Sequence, residues 1–148
     1  MEKKVRKDVR SYLIKDNKVV AVQYKDHVVG FYDIPGGKIE DGETSEETSI
    51  REFKEETGMD IIKQHFIGKM YLEYPDRFYD FDVFFVDEYQ GEPQEFEENS
   101  SMWVDIDEIQ KEPKIFGCIK AIKYLKNNLN LKIECDANDE KVIIYELN

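Results

Sequence analysis

Apolar and polar residues alternate loosely from Val5 to about Lys15, the two-residue period of a strand with one buried face. Asp16-Asn17 is a turn signal, and Lys18 to Tyr24, carrying Val19, Val20, Ala21 and Val22, reads as the hairpin partner. A short strand from Val28 to Ile34 runs into Pro35-Gly36-Gly37, which should break regular structure, since proline lacks a donor and glycine opens backbone angles closed to other residues. Thr44-Ser45-Glu46-Glu47 has the form of a capping box, in which the Thr44 hydroxyl and the Glu47 carboxylate satisfy exposed amides. It predicts a helix from about Ser45 to Thr57, with Gly58 placed to end it. Ile61 to Tyr74 and Phe78 to Tyr89 are predicted strands around Pro75-Asp76, and Gln90 to Ser101 is a polar loop containing Gly91 and Pro93. Met102 to Val104 predicts a brief strand and Ile106 to Gln110 a helical turn. Pro113 opens a second helix with apolar spacing at Ile115, Ile119, Ile122 and Leu125, ending near Asn130. Leu131 to Cys135 and Val142 to Leu147 predict a terminal hairpin.

No repeat, linker or low-complexity tract divides the 148 residues, so strands interleaved with two helices predict one mixed α/β (α+β) domain over 1–148. An apolar fraction of 41%, with nine Phe, nine Tyr and one Trp, is enough to fill its core. The formal net charge of −12 repels a polynucleotide backbone but not a small polyphosphate, because bound divalent cations invert the sign of a local site. Cys118 and Cys135 have no metal-ligand spacing and read as buried thiols of a reducing compartment. The basic N-terminus, Met1 to Arg10, is followed by no apolar h-region, and no stretch approaches 18 apolar residues. The expectation is a cytoplasmic protein, monomer or homodimer, with no membrane partner.

The predicted helix at Ser45–Thr57 is the most informative element. At 3.6 residues per turn, Glu52, Glu55 and Glu56 sit within an arc of about 100°, bordered by Arg51, with Ile50, Phe53 and Thr57 on the opposite, apolar side. Three like charges so close repel by a few tenths of a kcal/mol per neighbouring pair on an open helix, and a divalent cation reverses that sign. Magnesium takes hard oxygen ligands: carboxylates, waters and phosphate oxygens. Gly36-Gly37 can bring backbone groups close to a ligand, and Pro35-Gly36-Gly37-Lys38 lies next to the helix start, where amides favour anions. Carboxylates beside a glycine turn and a lysine suit a polyphosphate better than a sugar or a peptide.

Gly37, five residues, Glu43, seven residues, then Arg51-Glu52-Phe53-Lys54-Glu55-Glu56-Thr57-Gly58-Met59 resembles the Nudix box (37–59) at every defining position. Chance would produce that match about once in 10⁸ starting positions. Phe53 is bulkier than the usual aliphatic residue, and Thr48-Ser49 stand where two alanines are common. Tyr32-Asp33-Ile34-Pro35-Gly36-Gly37-Lys38-Ile39-Glu40 looks like the MutT-like branch, as does Gly91-Glu92-Pro93 followed by acidic residues and Trp103.

The resemblance implies a Nudix fold, a mixed sheet sandwiched between helices. It further implies that Glu52, Glu55 and Glu56, with the Gly37 carbonyl, bind catalytic divalent ions, Mg²⁺ or Mn²⁺ in its place. Arg51 would hold the glutamates by ion pairing, and Glu43 would support the loop–helix junction or a metal-bound water. A glutamate four residues after the proline, here Glu97 beside Glu98, would serve the metals or the attacking water. Glu52, Glu55 and Glu97 are each plausible acceptors of the water's proton, and Gly36, Gly37 and Lys38 would line the substrate.

The activity implied is hydrolysis of a nucleoside triphosphate, oxidised or otherwise modified, to monophosphate and pyrophosphate. ADP-ribose, another nucleoside diphosphate derivative, a dinucleoside polyphosphate or a capped RNA end are the alternative substrates, and a non-catalytic nucleotide sensor the alternative role. His27 and His65 read as ordinary histidines and Trp103 as a core residue. The aromatic run Tyr71, Tyr74, Phe78, Tyr79, Phe81, Phe84 and Phe85 reads mostly as filling for the sheet faces, with one or two of them candidates to stack on a nucleobase.

Overall fold

The computed structural model describes residues 4–25, 32–73, 77–109, 131–136 and 142–146. The first strand, β1 (Lys4–Tyr12), ends earlier than its alternation predicts. At Leu13 the chain leaves one sheet for another and continues as β2 (Ile14–Lys15), a change of sheet that a two-residue period cannot register. Asp16 and Asn17 both take positive φ, 53° and 62°, as a tight hairpin turn requires, and β3 (Lys18–Tyr24) returns antiparallel to β2. Four successive β3 residues, Val19 to Val22, are buried. Val19 and Ala21 face one core cluster and Val20 the other, so the unbroken apolar run marks a strand covered on both faces.

Two core clusters organise the fold. One joins Tyr12, Val19, Ala21, Ile67, Met70, Phe81 and Val83 to the short helix α2 (Ile106–Ile109). The other packs Leu13, Val20, Met59, Ile61 and Val86 around Phe53 of α1 (Ser45–Thr57). Phe53 is fully buried, a contribution of about 1.5–3 kcal/mol for such a side chain.

The main sheet has six strands in the order β4-β1-β6-β5-β8-β9, where β4 is Gly36–Lys38, β5 Asp60–Glu73, β6 Arg77–Gln90, β8 Leu131–Asp136 and β9 Val142–Glu146. It is mixed: β1 runs parallel to β6 and β5 to β8, while the remaining pairs are antiparallel. The smaller sheet, β2-β3-β7, is antiparallel, and β7 (Asn99–Asp105) is longer than the predicted Met102–Val104 because Asn99 to Ser101 continue its pairing with β3. Helix α1 packs on β1, β4 and β5 of the large sheet and on β7 of the small one. Of the predicted elements, the Val28–Phe31 part of a strand and the helix from Pro113 to Asn130 lie outside the described residues, as do His27, Tyr74 and Cys118. No helix among the described residues is long and apolar enough to cross a membrane.

Two expectations need correction. Pro35 is a bend, but Gly36–Lys38 pairs with β1 as a short strand, because glycines without Cβ atoms can lie flat against Val9. On α1, Ile50 is 44% exposed, and the buried face runs through Thr48, Ser49, Phe53, Glu56 and Thr57. The hydroxyls explain that rotation. Ser11 donates to Ser49 Oγ at 2.7 Å and Ser49 to Gln64 Oε1 at 2.6 Å. Thr48 Oγ1 donates to Glu43 Oε1 and is 3.1 Å from the Thr44 carbonyl. Polar side chains thus take buried places here without losing hydrogen bonds.

Both halves of the capping box form: Glu47 N donates to Thr44 Oγ1, and Thr44 N to Glu47 Oε1, each at 3.1 Å. Thr44→Ala should lower stability by about 1 kcal/mol, read as a lower urea midpoint at unchanged m-value. An unshifted midpoint would mean that the cap carries no stability.

Candidate functional site

The short strand β4 lies against the C-terminal half of α1, from Arg51 to Glu56, and two glycines make that approach possible. A Cβ on Gly36 would stand 2.0 Å from the Val9 carbonyl oxygen, inside backbone that cannot withdraw. A Cβ on Gly37 would meet the Glu52 carboxylate, 2.5 Å from its Cδ. The turn and the acidic side of α1 are therefore in direct contact.

Arg51 is the hub of the exposed part of the site. Its Nε donates to Glu43 Oε2 at 2.7 Å and Nη2 to Glu43 Oε1 at 2.8 Å, a bidentate pair. Nη1 reaches Glu52 Oε1 at 2.9 Å and, more loosely, Glu55 at 3.4 Å, while Nη2 lies 3.4 Å from the Lys38 carbonyl. Three carboxylates share one guanidinium, so negative charge is in excess. Hydrogen bonds from Arg51 hold the Glu43 carboxyl down at about 2, whereas burial pushes Glu52 up against the pull of the same arginine. Glu43 also accepts from Glu40 N and Thr48 Oγ1, which ties the loop before α1 to the helix.

Glu56 is held differently. It is buried, on the inner edge of the acidic arc rather than on an open face. Gly36 N donates to its Oε1 at 3.1 Å and the Tyr24 hydroxyl to its Oε2 at 2.7 Å. Burial raises its carboxyl to about 7 even so, and burial beside Glu56 pushes the Tyr24 hydroxyl well above its ordinary value. The Gly36 amide, expected to face a ligand, is committed to this carboxylate.

The loop after β6 is fastened to the C-terminal end of α1. Gly58 caps the helix at φ 78°, its N–H on the Lys54 carbonyl. Gln94 N donates to the Thr57 carbonyl at 3.1 Å and Asn99 Nδ2 to the Glu56 carbonyl at 2.9 Å, satisfying acceptors that a helix end leaves open. So anchored, the loop places exposed Glu97 and Glu98 with Tyr24 and Lys25 around a cavity of about 490 Å³.

The structure brings Glu52 and Glu56 to the glycine turn, joins Glu55 to Glu52 through Arg51, and sets Glu97 with Tyr24 around one cavity. Lys38 has an exposed side chain beside the turn. Among the described residues no three acidic or histidine side chains converge on one point: Glu52 and Glu55 turn to Arg51, and Glu56 to Tyr24 and Gly36. Tyr24 and Asn99 were not foreseen. Tyr24 ends an apolar strand and Asn99 sits in an acidic loop, and only the β3–β7 pairing, which sets them opposite each other, exposes their shared partner. Trp103 is partly buried against the Phe53 cluster and donates to Glu92, and His65 pairs with Asp87 at 2.7 Å.

A model of the NUDIX domain matches residues 5–123. The chain is 38% identical over 80 residues to the 8-oxo-dGTP diphosphatase of Proteus vulgaris, a match spanning 53% of this chain and 71% of that protein. It is 40% identical over 76 residues to the oxidized purine nucleoside triphosphate hydrolase of Danio rerio, covering 50% of this chain and 49% of the relative, so that match spans about half of each. In architecture it is similar to the crystal structure of a MutT protein from Bacillus halodurans, with a TM-score of 0.74 over 94% of this chain and 97% of that one, at 21% identity.

The two glycines should respond differently to a methyl group. Gly36→Ala forces β4 off β1 and should cost about 2 kcal/mol or more, within the range for overpacking. Gly37→Ala meets only the end of a movable side chain and should cost under about 1 kcal/mol. Equal losses in urea denaturation would contradict the described approach of strand to helix.

Proposed function

The chain belongs to the Nudix family, and from that premise we propose that it is a divalent-cation-dependent pyrophosphohydrolase that converts a nucleoside triphosphate, oxidised or otherwise modified in its base, to the monophosphate and pyrophosphate. The observation that carries this reading is the contact of the Arg51–Glu56 helix segment with the glycine turn, Glu52 on Gly37 and Glu56 on the Gly36 amide. The names of the similar proteins from Proteus vulgaris and Danio rerio support the substrate class.

Nudix hydrolases generally need a divalent metal, and the residues here suit one. The donors are hard oxygens, namely the carboxylates of Glu52, Glu55 and Glu56 and the Gly37 carbonyl, the class preferred by Mg²⁺ and accepted by Mn²⁺. Glu43, Glu52 and Glu55 share the Arg51 guanidinium, and the Cβ-free turn leaves backbone close to Glu52. When bound, the cation supplies Lewis acidity and neutralises phosphate oxygens.

The protein's own part is to hold and to place. Arg51 keeps Glu52 and Glu43 aligned, and Gly36 and Tyr24 fix Glu56. Gly37 and Lys38 offer backbone and ammonium to the polyphosphate. One of Glu52, Glu55 and Glu97 accepts the proton of the attacking water. Positioning and charge neutralisation do most of the work in phosphoryl chemistry. The acidity of the chain disfavours a polynucleotide partner, which leaves a small nucleotide as substrate for a single domain acting as monomer or homodimer.

Release of pyrophosphate or nucleoside monophosphate from a panel of canonical and oxidised nucleoside triphosphates, ADP-ribose and dinucleoside polyphosphates, with and without Mg²⁺, tests the assignment. Cleavage of a triphosphate only when Mg²⁺ is present is expected. Cleavage of ADP-ribose alone would move the substrate class, and no cleavage at all would favour the sensor. Glu55→Gln and Glu56→Gln should each lower turnover at least 100-fold, on the scale of losing a charged transition-state contact. Thermal stability should change little. Glu55 is exposed, and at position 56 the amide oxygen can accept from Gly36 while its NH₂ donates to the rotatable Tyr24 hydroxyl.

A further inference from the structure

We propose that Tyr24 is a positioning residue for Glu56: its hydroxyl fixes the buried carboxylate in the orientation that serves a divalent cation, and so sets the affinity of the site for that cation. The inference rests on the reading of Glu56 as a cation ligand and adds a residue that lies outside the helix and the glycine turn.

Tyr24 and Asn99 are cross-strand partners at the end of the small sheet. Both reach the same residue of α1, Tyr24 Oη to the side-chain Oε2 of Glu56 and Asn99 Nδ2 to its backbone carbonyl. With Gly36 N on Oε1, each carboxylate oxygen carries one donor, which stops rotation of the group and leaves further acceptor capacity on both oxygens. A carboxylate free to rotate must be ordered when a cation binds; one already anchored at both oxygens has less to lose. The contacting donors are neutral, so Tyr24 orients the charge without cancelling it. Tyr24 also lines the cavity bordered by Glu97 and Glu98, so the residue that bonds to the first acidic group faces the same space as the second.

Tyr24→Phe removes the hydroxyl and keeps the ring. Binding of Mn²⁺ to the full chain without nucleotide, followed by the electron paramagnetic resonance signal of the free ion, should weaken about tenfold, on the scale of one hydrogen bond to a charged group. The half-saturating cation concentration for hydrolysis should rise by a similar factor, with kcat at saturating cation and KM for the nucleotide both within about threefold of the parent. In a Glu56→Gln background the Tyr24→Phe change should have no further effect on Mn²⁺ affinity, because the group it orients is gone. Unchanged Mn²⁺ affinity in Tyr24→Phe, with affinity lowered in Glu56→Gln, would overturn the role of Tyr24 alone. Unchanged affinity in Glu56→Gln would overturn the reading of Glu56 as a ligand, and the proposal with it. A lowered melting temperature with unchanged Mn²⁺ affinity would make Tyr24 merely structural and likewise overturn the proposal.

Discussion

The constraint on which the site depends is the approach of β4 to β1 and α1 with no room for a side chain between them. Gly36 lies on the Val9 carbonyl and Gly37 on the Glu52 carboxylate, at separations that a Cβ would close to 2.0 and 2.5 Å. That approach delivers the Gly36 N–H to Glu56. It also sets the Lys38 carbonyl beside the Arg51 guanidinium. A wider turn would leave the buried Glu56 with one donor fewer, and an underbonded buried carboxylate is costly. The glycines are thus a condition for burying the acid as well as for admitting a ligand.

Helix α1 is fastened at both ends by side chains that local sequence specifies. The capping box closes its N-terminus, and Glu43 links the preceding loop to Arg51. At the C-terminus Gly58 takes the left-handed angle, and the Gln94–Asn99 loop supplies donors to the Thr57 and Glu56 carbonyls. The second fastening has a consequence for the site: the loop that closes the helix end is the loop that carries Glu97 and Glu98, so their distance from Glu56 follows from the helix cap. A residue chosen for capping and a residue available for chemistry are held by the same few hydrogen bonds.

Elements whose signals are local were legible in the sequence. The bounds of α1 followed from Thr44, Glu47 and Gly58, and the first hairpin from Asp16-Asn17, because caps and tight turns are written in neighbouring residues. The acidic arc was legible from helical period, and its match to a family box sharpened it. What stayed hidden depends on tertiary placement. Period alone put Ile50 inside and Glu56 on an open face; the Ser11–Ser49–Gln64 bonds rotate the helix the other way, leaving Ile50 exposed and Glu56 buried. The split of the first strand at Leu13 reflects a change of sheet, and Tyr24 and Asn99 meet Glu56 only through strand pairing.

The two ways in which the acids are held imply different duties. Arg51 offsets part of the charge on Glu43, Glu52 and Glu55, yet three carboxylates to one guanidinium leave the cluster negative. Glu56 is oriented by a phenol and an amide, dipoles that fix geometry and add no net positive charge. A lysine or arginine at position 24 would form a stronger local pair and would compete for the carboxylate with any incoming cation. A phenol raises no such competition. Burial already penalises the charged form of Glu56, so a chain under selection for stability alone gains by neutralising this group or replacing it with an apolar one. Retaining an acid that is buried and oriented at both oxygens, with the Arg10 charge offsetting only part of its burial, makes physical sense where a divalent ion adds further positive charge.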